Sequence, residues 1–288
     1  MKVSAKPISP PRAILITGCS TGIGYVCAHG MKERGWRVFA AARKQPDVDR
    51  LSAEGLEAVR LDYTDPESIE HAVNHVLNAT GGRLDALFNN GAYGQPGALE
   101  DITPEAMRAQ FEANFLGWHD LTRRIIPAMR RRGAGRIVNC GSILGFIAMK
   151  YRGPYTATKH ALEGYSETLR LELWDAGIRV SLIDPGPIAT NFTKNATTAF
   201  VGNVDIDASA YADAYRRRLQ FLESGGTKSR FKLGPEAVLD KLVHALESPK
   251  PRMRYNVTVP THALALIKRV LPSGLMIALL RRLSDAET

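Results

Sequence analysis

Apolar, β-branched runs of strand length alternate with amphipathic stretches of helix length, and this predicts a doubly wound parallel α/β sheet with helices on both faces. Two further observations support it. The run Ala13-Ile-Leu-Ile-Thr17 is apolar without alternation, as a strand buried on both sides must be, and Gly18 stops it. A glycine-rich turn then leads straight into a helical pattern ending at Gly35. The 288 residues suffice for one large domain with a dry core.

Further elements follow in order. Trp36–Ala42 reads as the second strand and Leu56–Leu61 as the third, with a short helix between them. Pro66 suits a first helical turn, and its helix runs to Ala79 before Gly81-Gly82. Leu84–Phe88 is a fourth strand, and one long helix is expected from about Pro104 to Arg132, closed by Gly133. Gly135–Asn139 and Ile178–Ile183 are two more buried strands, separated by a helix from about Pro154 to Ala176. After Gly186 the rhythm changes. Residues 191–234 are polar and helical with a break at Gly225-Gly226, Pro235–Ser248 is a helix, and Arg254–Val259 is a last strand. This gives a tail over 1–11, a dinucleotide-binding and catalytic domain over 12–260 with 191–234 covering its site, and an amphipathic extension over 261–288.

Composition sets limits. Hydrophobic residues make up 44% and charged residues 23%, ordinary for a globular protein. The net charge of +9 favours anionic partners, but Arg130–Arg132 and Arg216–Arg218 lack aromatic interleaving and read as solvated helix surface, so no nucleic-acid partner is expected. Cys19, Cys27 and Cys140 have no CxxC spacing and point to buried thiols in a reducing, cytoplasmic setting. The start carries no apolar run of signal-peptide length, and Val270–Leu280 is too short to span a bilayer. His71 and His75 lie one turn apart without the accompanying Glu of a zinc-protease signature, so no metal is expected.

Chemistry is concentrated just after the strands, where sheets of this kind bind ligands. Gly18, Ser20, Thr21, Gly22, Ile23 and Gly24 form the turn between the first strand and its helix. Glycines there let the backbone approach a pyrophosphate, and the helix start offers unpaired N–H groups to it. The second strand ends Ala41-Ala42-Arg43, without the carboxylate that would hold the 2′-hydroxyl of NAD(H). A guanidinium can grip a 2′-phosphate, so NADP(H) is favoured over NAD(H). Asp62, after the third strand, either accepts from an adenine amine or caps the helix at Pro66. Tyr155 and Lys159 stand one helical turn apart, where an ammonium is expected to lower the phenol's pKa and make it an acid/base. Ser142, just past a strand, is placed to hold a substrate oxygen.

In their order, TGxxxGxG at Thr17–Gly24, Asn89-Asn90-Gly91-Ala92, Asn114, Ser142, Tyr155-x-x-x-Lys159 and Pro185-Gly186-Pro-Ile-Ala-Thr190 resemble the short-chain dehydrogenase/reductase family over about Ala13 to Thr190. The resemblance implies a single Rossmann-type domain that moves a hydride between a nicotinamide and a carbonyl or alcohol carbon. It implies Tyr155 as acid/base, Lys159 as its pKa depressor and ribose anchor, Ser142 as donor to the substrate oxygen, and Asn114 as support for a water relay. It also implies that Asn90 and Gly91 lie under the adenosine side of the cofactor, and that Pro185, Gly186, Ile188 and Thr190 lie by the nicotinamide. Asn-Asn-Gly-Ala departs from the commoner Asn-Asn-Ala-Gly but keeps small residues there. The TGCSTGIG turn, the Ala-Ala-Arg ending and Pro235-Glu-Ala-Val are similar to 17β-hydroxysteroid and retinol dehydrogenase-like members, which implies a small apolar alcohol, ketone or aldehyde as substrate. Family habit implies a homodimer or homotetramer. The rival reading is a non-catalytic NADP(H) sensor or partner-binding protein of the same fold, which would expect damage at Ser142, Tyr155 or Lys159; all three are intact.

Residues 261–283 form two apolar bursts flanked by Lys268-Arg269 and Arg281-Arg282. Three roles stay open for them: peripheral contact with a membrane or another subunit, closure of a substrate mouth, and simple docking on the domain.

Overall fold

A computed structural model describes residues 11–223 and 231–285. The tail through residue 10 and the Gly225-Gly226 break lie outside the described residues. The elements are β1 (Ala13–Thr17), α1 (Gly22–Glu33), β2 (Arg37–Ala42), α2 (Gln45–Ala53), β3 (Glu57–Arg60), α3 (Pro66–Ala79), β4 (Ala86–Asn89), α4 (Pro104–Phe111), α5 (Gly117–Arg132), β5 (Gly135–Cys140), α6 (Gly153–Glu172), β6 (Ile178–Asp184), α7 (Phe192–Asn203), α8 (Ala212–Glu223), α9 (Glu236–Glu247), β7 (Arg254–Asn256), α10 (Val259–Val270) and α11 (Ser273–Asp285).

The seven strands form one sheet in the order β3-β2-β1-β4-β5-β6-β7, and every neighbouring pair is parallel. All five side chains of β1 and all four of β4 are buried, which is why these segments carry no polar alternation. Helices cover the sheet, with α1 packed on α9 and α3 on α5, around a core that includes Ile14, Phe39, Phe88, Trp118 and Leu242. Strand order reverses between β1 and β4, so their carboxyl ends open the crevice in which such sheets hold ligands.

Several elements differ from the sequence expectation; α6, for one, stops at Glu172 and a 3-10 turn spans Trp174–Ala176. The long helix over 104–132 is interrupted by a π-helical turn at Glu112–Leu116, in which the Gly117 N–H reaches back to the Glu112 carbonyl. Such a turn inserts one residue without breaking the axis, so hydrophobic periodicity hardly registers it. The last strand is only Arg254–Asn256, because Pro260 and the uncapped Thr258 start α10 directly behind it.

Candidate active site

The glycine-rich turn is closed from three sides. Gly18 has φ +69° and its Cα faces Gly91, so a side chain on Gly18 would collide with the loop after β4. Gly22 abuts the Thr190 side chain, bringing the segment after β6 across to the start of α1. Asn90 ties the ends of β4 and β1 together, its Nδ2 donating to the Thr17 carbonyl at 3.0 Å. At the helix start Thr21 makes no side-chain cap bond and the first turn of α1 holds no acid, which leaves its N–H groups open to an anion. Arg50 steadies the turn from α2 through a 2.7 Å bond to the Ser20 carbonyl, a support that sequence reasoning missed. The cradle therefore fits a pyrophosphate. At the end of β2, Ala41 and Ala42 are buried, and Arg43 just beyond it is exposed with its charge reaching Tyr93.

Asp62 does not cap α3. Its Oδ1 accepts from the Thr64 N–H and hydroxyl, while Asp65 caps the helix by accepting from the Glu67 and Ser68 N–H groups. The residue immediately before a Pro at the first helical position is the natural cap, and that signal was available in the sequence.

Ser142, Tyr155 and Lys159 come together at the carboxyl ends of β5 and β6. Lys159 is 1% exposed; its Nζ donates to the Cys140 carbonyl at 2.6 Å and lies 4.6 Å from the Trp118 ring centroid and 5.5 Å from that of Tyr155. Burial pulls the Lys159 ammonium down to about 8. The Tyr155 phenol is pushed up, the opposite of the expected depression. Enclosure of its hydroxyl dominates, the Cys140 thiol and Asp184 add to it, and the Ser142 hydroxyl and the Arg152 charge pull back. Ser142 Oγ also accepts from the Leu144 N–H, which fixes the short turn behind it. Asn114 lies in the π-helical turn, and its side chain clamps Tyr93 by donating to the carbonyl (2.7 Å) and accepting from the N–H (3.2 Å). Pro185 joins this group through its carbonyl, which accepts from the Ile143 N–H at 2.9 Å. Gly186 lies against Thr258 and Thr261, and Ile188 pairs with Leu233.

Two buried polar groups beneath the site escaped the sequence reading. In one, the Tyr63 hydroxyl sits 2.8 Å from Thr17 Oγ1 and 3.1 Å from Asn89 Oδ1; Asn89 donates to Asn139, and Asn139 donates to Ser166. This chain links β1, β4, β5 and α6 across the floor of the cleft. In the other, fully buried Asp184 pairs with Arg254 at 2.8 Å, and Arg254 is gripped in turn by Glu163. Gly141 has no room for a Cβ because Asp184 Oδ1 would lie 2.0 Å from it. Asp184 therefore presses on the peptide that carries Ser142, and its charge is felt by both Lys159 and Tyr155.

The walls are apolar. Tyr155 stands edge-on to Phe192 at 5.3 Å, and beyond it a cavity is lined by Pro96, Met149, Tyr151, Phe192, Ala196, Phe200, Tyr215 and Leu219 among others. The cover helices are tied down where Tyr215 donates to Asp101 and accepts from the Ala98 N–H, and where Asn203 donates to Gln95. Tyr151, with φ 60°, stacks edge-on to Tyr211 and Tyr215 at the cavity mouth. A third wall comes from the C-terminal helices: Met276 and Leu280 of α11 and Leu264 and Ile267 of α10 pack with Leu144, Ile147 and Tyr155. No helix among the described residues is long and apolar enough to cross a membrane.

A phenol, a hydroxyl and a buried ammonium at the ends of β5 and β6 thus lie beside the anion cradle at the β1–β4 switch point, an arrangement that suits a dinucleotide-dependent oxidoreductase. The short chain dehydrogenase family model matches residues 12–199, and the chain belongs to that family of oxidoreductases, which act on CH–OH groups with NAD(P). An uncharacterized oxidoreductase of Escherichia coli, YbbO, is 44% identical over 92% of both chains. Retinol dehydrogenase 8 of Bos taurus is 31% identical over 92% of this chain and 87% of its own, in line with the retinol dehydrogenase-like resemblance. A short chain dehydrogenase/reductase from Burkholderia phymatum, solved in complex with NAD, superposes with TM-score 0.76 at 25% identity over 94% of this chain and 95% of that one.

Proposed function

We propose that this enzyme uses NADP(H) to interconvert an apolar carbonyl compound and its alcohol, with Tyr155 as general acid/base. The observation that carries this reading is the Lys159 ammonium buried one turn from Tyr155, with Ser142 alongside. When bound, the nicotinamide cofactor supplies or accepts the hydride. Ser142 donates to the substrate oxygen and holds it against Tyr155. The phenol, held above its ordinary value by burial, is protonated at neutral pH as a donor to a carbonyl oxygen must be, and the Ser142 hydroxyl pulls its pKa back toward a usable range. Lys159 keeps a positive charge beneath the oxygen as negative charge develops on it, and Asn114 sustains the loop along which the proton is replaced.

The remaining roles follow the cradle. Gly18, Ser20, Thr21, Gly22, Ile23 and Gly24 hold the pyrophosphate, Asp62 faces the adenine through its remaining oxygen, and Asn90 and Gly91 lie under the adenosine side. Pro185, Gly186, Ile188 and Thr190 flank the nicotinamide. NADP(H) is favoured because Arg43, not a carboxylate, follows the buried alanines of β2. An apolar substrate is supported by the cavity lining and by the retinol named for the bovine relative. Three buried, unpaired thiols support a cytoplasmic setting, and exposed Leu116, Leu171 and Trp174 support a homo-oligomer. The sensor alternative is not favoured: its cavity would need no phenol–ammonium pair.

The test is turnover. NADPH mixed with the protein and a panel of apolar aldehydes and ketones should lose its reduced-nicotinamide absorbance for some members, with NADH serving less well. Binding of NADPH without turnover on any of them would favour the sensor.

A further inference from the structure

The two C-terminal helices face the site with one side and solvent with the other, and the outward side has an unusual chemistry. Leu266 and Val270 at the end of α10 and Leu275 and Ile277 at the start of α11 are each at least 60% exposed. They surround the turn at 271–272, so the apolar surface gathers at the tip of the hairpin rather than scattering singly. Lys268, Arg269, Arg281 and Arg282 flank it, all exposed. Between Ser248 and Ser284 the sequence contains no Asp or Glu.

We propose that this hairpin docks the enzyme on the surface of an anionic lipid bilayer, its tip side chains entering the headgroup boundary and its cations meeting lipid phosphates. Helices of 12 and 13 residues are too short to span, but an apolar strip beside a cationic one is what an interface-lying helix presents. Each Lys or Arg near such a surface is attracted to it. A second copy of the chain fits the same patch poorly: a two-fold contact would set Arg269, Arg281 and Arg282 against their own kind with no acid in the patch to answer them. The inner side of the same helices packs with Tyr155, and Ser284 lines the cavity, so docking would hold the cavity near the lipid phase. That consequence for access of an apolar substrate rests on the function proposed above; the docking itself does not.

The experiment is flotation of the full chain with vesicles of phosphatidylcholine alone and of phosphatidylcholine mixed with phosphatidylglycerol. The protein should float with the mixed vesicles, less so as salt is added, and only weakly with phosphatidylcholine alone. The triple variant Arg269→Glu, Arg281→Glu, Arg282→Glu should bind the mixed vesicles at least about tenfold more weakly. Leu266→Ser with Ile277→Ser should also weaken binding. Both variants change exposed side chains and should keep wild-type turnover of a water-soluble aldehyde, which shows that they fold. Wild type that stays in solution, or variants that float as well as wild type, would overturn the proposal. So would variants that only convert an oligomer to a monomer in light scattering, since the patch would then face a second copy. Loss of aldehyde turnover in wild type that still floats would count against the enzyme reading and leave docking standing.

Discussion

Beneath Tyr155 the ends of β4, β5 and β6 bury Asn89, Asn139, Lys159 and Asp184 with fixed hydrogen-bond partners, whereas α7, α8 and the α10–α11 hairpin meet the same cleft with Phe192, Phe200, Leu219, Met276 and Leu280. In the floor nearly every polar atom has its partner, Asp184 Oδ1 being an exception, because an orphaned buried group costs more than a well-made bond gains. In the walls, shape and greasiness suffice, and one apolar side chain can stand in for another. Under the proposed function, chemistry would be fixed in the floor and substrate choice set in the walls. Substitutions in the floor should stop the reaction or unfold the protein, while those in the walls should shift affinity.

The largest effect is expected at Tyr155. Tyr155→Phe should lower turnover by about 10²–10⁴-fold, the usual worth of a general acid/base, while NADPH still quenches protein fluorescence on binding. Next comes the ion cluster: Arg254→Met strands Asp184 and Glu163 together and should cost about 3–5 kcal/mol in chemical denaturation. Adding Asp184→Asn should recover part of that loss. If Arg254→Met is harmless, the cluster does not brace the floor.

Lys159→Met should split stability from activity. The buried ammonium titrates at about 8 instead of 10.5, so the unfolded chain binds more protons between those values and stability rises with pH across that window. At neutral pH the buried charge is therefore a cost, and removing it should stabilise the fold by about 1–2 kcal/mol after the lost bond to the Cys140 carbonyl is counted, with turnover abolished. Smaller again, Leu219→Ala in the wall should raise KM for an apolar substrate about three- to tenfold and leave kcat within about twofold. Arg43→Ala should weaken NADPH by about tenfold and leave NADH unchanged, as measured by competitive titration.

How much the sequence disclosed follows the same division. The sheet, the glycine-rich turn and the Tyr155/Lys159 pair could be read because each is local: a buried run, a turn chemistry, an i,i+4 spacing. The Asp184–Arg254–Glu163 cluster could not, since its members come from three elements that only the sheet brings together. The same holds for Tyr63, which reaches Thr17 and Asn89 from the loop after β3. The π-helical turn at Asn114 has no propensity signature. The phenol's pKa runs opposite to what the i,i+4 spacing implies, because spacing reveals a neighbouring charge but not the burial that outweighs it. Asp65, in contrast, stands immediately before Pro66, where the sequence itself marks a helix cap.

The pH dependence of reductive kcat/KM tests the account most directly, comparing wild type with Lys159→Arg. A protonated phenol above a buried ammonium that titrates at about 8 gives a profile that is level through neutrality and falls above that value. A guanidinium does not deprotonate in this range, so Lys159→Arg, however slow, should lose the fall. The same alkaline limb at the same position in both enzymes would mean that another group controls the reaction.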